Sequence, residues 1–521
     1  MKKPSKDLFN LIKSLTVSEK GYFVKFAKRH IIGEENNYLR LFEAINEQEV
    51  YDEDALKDRF KGEKFIKQFT TAKNYLMNMI LKSLESYHSE ESTSSKIVSL
   101  MNQYKILFEK TLFNQAETLL KRAKKLAVET ENYTKLIDIL RYERSLDYKK
   151  IGEPNFDEYS DSKLVEEKKV LEKLENLAEY NNIYLKISSL FKIVGRPRTE
   201  KDLENYNMIF ADKLMKSEDM AQTVRAKNFF YIINYLYYYC LGDKEKAFEY
   251  GEKRLKLIEK HSEKISSMKE EYIYALSDAI AFAFNLGKIK LCLKYLKLKR
   301  ELALRFESKQ SVPTHLDMCV SSYSFELYIY SIAGYFKEAT ETAEEVIKWL
   351  DKYHGKINKS EELKVIYAIA YVYFGAGDYA KALFWVNKIL NDNSNFRLDY
   401  KIFAKIMNLI IHYELGNIDL LEYNIKSVLR YLNNKDKLYK YEHALIKFIK
   451  RLPFLDEDSD MSFEFHQLKN ELDRIWKDEY EKKAFDYFDI VSWLESKLSK
   501  KKFADVVREK SEIDLHELKA A

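Results

Sequence analysis

The chain has 521 residues, 46% of them hydrophobic and 14% aromatic, which is enough to bury a sizeable core and excludes a disordered composition. Its 88 Lys and Arg against 83 Asp and Glu leave a formal net charge of +5, a small remainder of two interspersed populations that suits exposed helix faces and makes no general case for nucleic acid. Only 13 Gly and 5 Pro break the chain, so long helices are expected, and the three cysteines, Cys240, Cys292 and Cys319, form no C-x-x-C pair and argue for a reducing, cytoplasmic setting without disulfides or zinc.

The amino terminus, MKKPSKDLFNLIKSL, is basic but has neither a continuous apolar core nor a small-residue cleavage site, which argues against a secretory signal. Residues 1–96 read as a separate helical module with helices near Lys6–Leu15, Ser18–Arg29, Asn37–Asn46, Asp54–Phe60 and Lys64–Tyr87, closed by the polar stretch SEESTSSK. Within it, KFIKQFTTAKNYLMNMILKSL carries Lys64, Lys67, Lys73 and Lys82 without an acid. A short helix, the bend at Gly62 and this longer basic helix could form a helix-turn-helix, with Lys64, Lys67 and Lys73 on phosphates and Gln68, Thr71 or Asn74 on base edges. Met77, Met79, Ile80 and Leu81 instead suggest that much of the helix is buried.

From residue 97 to 453 one pattern recurs. In the segment from Glu361 to Asn391, Ile366, Ile369, Ala370 and Tyr373 and then Ala382, Val386, Ile389 and Leu390 repeat at helical steps, with Gly377 where the first stripe stops and Asp378 placed to cap the second helix. The same bend is expected at Gly242, Gly287, Gly334 and Gly416, and further back at Gly195 and Gly152, each followed two residues later by Pro. The intervals are 39 to 47 residues, and one more unit from Leu107 fits with Thr111 in place of Gly. A period of this size predicts stacked helical hairpins, none of which can bury its own apolar face. The uncharged run from Asn228 to Gly242 is too short for a bilayer span and is expected as a buried helix. After Pro453 and an acidic stretch, residues 454–521 are expected to supply capping helices carrying Trp476, Phe485, Phe488 and Trp493, and a tail.

The units resemble tetratricopeptide repeats. A large residue stands four before the bend glycine (Tyr373, Tyr330, Tyr238), small Ala370 stands three before that, and the second helix opens on G-D-Y-x-K-A (Gly377, Asp378, Tyr379, Lys381, Ala382), with Gly242, Asp243, Lys246 and Ala247 and then Gly334, Tyr335, Phe336 and Ala339 following it. The period exceeds the roughly 34 residues of that family. The resemblance implies an all-α, right-handed superhelical solenoid of about eight helix-turn-helix repeats over residues 97–453, and a protein-binding scaffold by association.

Little else reads as chemistry. Gly375, Gly377 and Ala380 have the G-x-G-x-x-A order of a dinucleotide loop, but a helical period runs into them and no βαβ pattern surrounds them, so no cofactor is expected and Gly375 reads as an incidental neighbour of the bend. Asp456, Asp458 and Asp460 begin like a calcium loop, yet Met461 and Gln467 stand where Gly and Glu are needed. The nine histidines form no ligand pair, and His412 reads as a packed core residue. No phosphate-loop or nucleophile-elbow motif occurs, which leaves for catalysis only a site assembled from distant residues. Tyr231, Tyr235, Tyr237, Tyr238 and Tyr239 could pack between helices or line a groove. The stretch KIKLCLKYLKLKRELALR from Lys288 could attract an acidic peptide or nucleic acid, or form a solvated face.

The expectation is a cytoplasmic adaptor that binds a protein or peptide along a curved surface, with no metal and no membrane span. A regulator joining a DNA-reading head to a repeat array is the alternative, and an enzyme with a non-local site the weaker one. Partner identity and oligomeric state are not encoded in a readable motif.

Overall fold

The computed structural model describes residues 5–29, 37–88, 93–147, 151–152, 154–261, 268–306, 312–454, 458–515 and 518. Among them there are helices and turns and no strand. The chain divides into two compact units, Met1–Val170 and Leu171–Ala521.

The first unit holds α1 (Asp7–Ser14), α2 (Val17–Arg29), α3 (Asn37–Glu47), α4 (Glu53–Arg59), α5 (Phe69–His88), α6 (Thr93–Glu109), α7 (Phe113–Glu129) and α8 (Tyr133–Asp147), and the start of α9 (Phe156–Val194). Leu8, Ile12, Phe23, Leu41, Ile45 and Leu76 make the core of its first five helices. These five lie within two residues of their expected bounds, except that Lys64–Gln68 is a separate 3-10 turn and α5 begins only at Phe69. Of the expected linker, residues 89–92 lie outside the described residues and 93–96 already belong to α6.

The second unit continues with α10 (Glu200–Phe210), α11 (Val224–Leu241), α12 (Lys244–His261), α13 (Lys269–Asn285), α14 (Ile289–Phe306), α15 (Val312–Ile332), α16 (Phe336–Lys352), α17 (Lys359–Gly375), α18 (Tyr379–Leu390), α19 (Leu398–Glu414), α20 (Ile418–Asn434), α21 (Lys440–Arg451), α22 (Asp458–Ile475), α23 (Ile490–Leu498) and α24 (Phe503–Lys510). From α11 to α20 consecutive helices pair as hairpins, and from α13 on the first helix of each hairpin also packs on the first helix of the next, α13 on α15, α15 on α17 and α17 on α19. The core shared by α13 to α20 runs through Ile280, Leu327, Ile369, Val386 and Ile410, while α11 and α12 bury Ile233, Leu236 and Ala247 in a cluster with Phe282.

Each hairpin turns by the same device. Gly242, Gly287, Gly334, Gly377 and Gly416 have φ between 68° and 94°, and the amide after each bonds back five residues, as Asp378 N to Tyr373 O at 3.0 Å. This is the hydrogen bonding by which a left-handed residue satisfies the last carbonyls of a helix. Thr111 adopts φ 60° and Leu112 N bonds to Leu107 O at 2.9 Å, so the bend forms even without glycine. Asp243 and Asp378 then cap the second helices, accepting from Lys246 N and Lys381 N.

Two expectations need correction. The unit between Gly152 and Gly195 is one 39-residue helix, α9, and not a hairpin. Both glycines are left-handed, but nothing between Phe156 and Val194 is Gly or Pro, so nothing breaks the helix. Nor is Gly375 incidental. A Cβ there would stand 2.1 Å from the buried ring of Phe336, so the position requires glycine for a close approach, whereas a Cβ at Gly377 meets nothing within 4 Å. The G-x-G-x-x-A order therefore combines a packing glycine with a bend glycine between two helices.

These two glycines should respond differently to substitution in urea unfolding of the full chain. Gly377→Val should cost about 1 kcal/mol through its left-handed backbone alone. Gly375→Ala should cost about 1–3 kcal/mol by overpacking, and adding Phe336→Leu should recover part of that loss while recovering none in the Gly377→Val background. Equal behaviour of the two double variants would contradict this assignment.

Candidate functional site

The second unit contains a groove of about 1070 Å3. Its walls come from alternate helices. On α13 the lining residues Tyr274, Ser277, Asp278, Ala281 and Phe284 recur at three- and four-residue steps, on α15 Ser321, Phe325 and Tyr328 do so, and on α17 Glu361, Lys364, Tyr367 and Tyr371. One stripe of each of these first helices thus faces the groove, as do Asn228, Ile232, Tyr235 and Tyr239 of α11, while α19 adds Tyr400 and the second helices contribute only Arg254 of α12. The expected tyrosine cluster is split between surfaces. Tyr235 and Tyr239 face the groove, Tyr237 stacks on Phe210 with ring centroids 3.7 Å apart, and Tyr238 stacks on Tyr250.

The remaining walls are α9, which contributes Leu177, Asn181, Tyr184 and Phe191, and the carboxy-terminal segment Phe485–Asp489. α22 packs on α21, and the chain beyond it turns back so that residues 485–489 line the groove. There its polar groups are taken up in turn. Arg196 pairs with Asp486, the Tyr487 hydroxyl donates to Asp399 at 2.6 Å, and the Tyr367 hydroxyl donates to the carbonyl of Tyr487 at 3.0 Å. Tyr487 stacks on Phe403 at 4.1 Å, and Phe488 packs edge-on against Tyr371 and Phe374. Trp493, 1% exposed, donates to Glu414 at 2.6 Å.

Beside the groove this segment meets the turn after α9. Arg198 holds Glu442 through both nitrogens at 2.9 and 3.2 Å and Glu481 at 2.7 Å, and Glu481 also accepts from Lys440 N and Tyr441 N at the start of α21. Lys483, 2% exposed, donates to the carbonyls of Pro197 and Cys240 at 3.0 and 2.8 Å. Burial pushes its ammonium down to about 8, with Arg196 adding to the effect. No local period marks these contacts. The one sequence signal is the Arg-Pro-Arg of residues 196–198, set between two helix stops and matched by the acids of residues 478–489.

A second buried amine adjoins the groove. Lys299 of α14, 1% exposed, donates to Ser277 Oγ at 2.8 Å and to Ser321 Oγ, and burial with nearby Lys364 brings it down to about 7. The thiol of Cys240 is pushed up to about 12 by burial and stays protonated at neutral pH. His412 is buried, as expected, and burial lowers its pKa.

In the first unit, Lys64, Lys67, Gln68, Thr71 and Asn74 are exposed, but Lys64, Lys67 and Gln68 precede α5 on the 3-10 turn. Lys73 does not share their face. It is half-buried in an ion pair with Glu53 beside Tyr51, which removes it from the expected set of phosphate contacts. Asp456 of the acidic run lies outside the described residues, and Asp458 and Asp460 fall in α22. Among the described residues no group of three or more His, Cys, Asp or Glu side chains is placed to hold a metal ion, and no helix is long and apolar enough to cross a membrane. No protein-family profile matches the chain, and no curated protein matches it significantly.

The two buried amines give stability a defined pH dependence. Both bind a proton more weakly in the folded chain than at the ordinary lysine value of 10.5, so their penalty is fully present below pH 7 and is relieved as pH rises towards 10.5. The urea midpoint should therefore rise from pH 7 to pH 9, and less steeply in Lys299→Met and in Lys483→Met. Parallel profiles for all three proteins would refute the assignment.

Proposed function

We propose that this chain is a non-catalytic, cytoplasmic scaffold that binds a segment of a partner protein in the groove of a right-handed, tetratricopeptide-like solenoid. The observation that carries this reading is the alternation of the lining: successive first helices each present one stripe, so the groove offers a regular series of side-chain slots along its length. Its chemistry suits polypeptide. Rings such as Tyr235, Phe325 and Tyr371 offer apolar faces, and Asn181, Asn228 and Asn285 offer carboxamides that can both donate to and accept from a backbone. The segment Phe485–Asp489 of the chain itself already lies there with its carbonyl at 487 and its amide at 489 bonded to tyrosine hydroxyls.

Selection of a random octapeptide library against the full chain tests this directly. Binders should emerge, and Ala281→Trp, which fills the groove from a half-buried lining position, should weaken them about tenfold or more, as loss of a well-packed central contact does. A library that yields no binder, or binders indifferent to Ala281→Trp, would sink the reading.

The alternative of a DNA-reading head keeps one supporting observation, the exposed face of Lys64, Lys67, Gln68, Thr71 and Asn74. If it holds, the full chain binds duplex DNA with an affinity that falls steeply with salt, and Lys64→Gln with Lys67→Gln flattens that slope by about two counterions. No shift at low salt removes it.

A further inference from the structure

The cation-rich stretch of α14 does not act as a uniform surface. Lys288, Lys290, Lys294 and Lys297 are exposed, whereas Lys299 passes between the first helices of two hairpins and ends on Ser277 of α13 and Ser321 of α15, both of which line the groove. The charged groups around it come from every neighbouring helix. Arg254 of α12 contacts Asp278 of α13, and Lys364 of α17 stands 3.8 Å from Glu361 and over the ring of Phe325. Cys319 of α15 also stands nearby, and Arg225 of α11 and Glu271 of α13, one charge of each sign, line the same groove together with Tyr274 and Tyr328. Arg254, Lys299 and Lys364 thus face Asp278 and Glu361, three cations against two carboxylates. Both carboxylates are engaged by the other two cations, and among the described residues the hydrogen bonds of Lys299 go only to serine hydroxyls. A buried ammonium without a counter-charge is costly, and a single negative charge in the groove at this point would balance it.

We propose that this stretch of the groove is a subsite for one carboxylate side chain of the bound segment, received by Lys364 beside the charge of Lys299, whose ammonium is held at the groove wall by the hydroxyls of Ser277 and Ser321 while these donate to the carbonyls of Ile273 and Met318. The proposal rests on the peptide-binding reading and deepens it. One carboxylate neutralises the cluster, whereas a phosphate dianion would overshoot it. The groove already pairs an acid in this way elsewhere, where Asp486 of the returning segment meets Arg196. Because the amine is close to its neutral form at physiological pH, a bound carboxylate also raises its proton affinity. Binding therefore takes up a proton, and affinity falls as pH rises through neutrality.

The experiment uses octapeptides selected against the full chain, resynthesised with each Asp or Glu replaced in turn by its amide. One such replacement should weaken binding about tenfold at pH 6 and by less at pH 8. Lys299→Met and Lys364→Gln should each erase the difference between acid and amide while leaving the amide peptide bound. Selected peptides that carry no acid, or that tolerate every amide replacement, overturn the subsite and leave the peptide-binding reading standing. A library that yields no binder overturns both. Should Lys299→Met fail to fold, the wild-type comparison still decides, since an acid preference equal at pH 6 and pH 8 removes Lys299 from the subsite.

Discussion

A helix can reverse onto its neighbour only where the backbone leaves the right-handed region, and in this chain that constraint fixes almost everything else. At each of Gly242, Gly287, Gly334, Gly377 and Gly416 one left-handed residue lets the next amide bond back five positions and start an antiparallel partner. Repetition of one bend gives repetition of one geometry. The first helices then stand side by side, bury their flanks on each other, and leave one stripe each for the groove. The bends thus set one side of the groove, which α9 and the returning segment Phe485–Asp489 complete.

That dependence explains what could be read from the sequence. Gly377 with Asp378 announces a bend because left-handed backbone and an Asp cap both leave marks on residue type, and Thr111 was recoverable because the interval survived the loss of glycine. The long helix α9 leaves no such mark, because its flanking glycines keep the interval while nothing breaks the chain between them. Gly375 is hidden for another reason. Its need for glycine comes from Phe336, on a different hairpin, and a contact across space has no period. Lys73 and Lys299 show the same limit, since each looks like one more surface cation until its depth is known.

The buried charges play a different part from the apolar core. Arg198 with Glu442 and Glu481, and Arg397 with Asp399 and Tyr487, join segments that are far apart in sequence. Such groups contribute little net stability once desolvation is counted, because their attraction mostly offsets the loss of water. They are, however, intolerant of misplacement. An aromatic segment such as Phe485–Phe488 could slide over other rings at small cost, while Asp486 and Glu481 admit only the position that meets Arg196 and Arg198.

A stack of hairpins is ordinarily a spring with two loose ends, to which units can be added or lost without disturbing the rest. Here residues 196–198 are tied to residues 481–486 across nearly 290 positions, so the second unit is closed like a loop of rope whose last strand is tucked under its first. Closure has a cost in time. Translation at about 5–20 residues per second separates the completion of α11 from the arrival of Asp489 by about 12–50 s. During that interval the hairpins can stack as they emerge, yet the groove lacks one wall. The groove is therefore open on one side until residues 485–489 have been made, about 250 residues after α11.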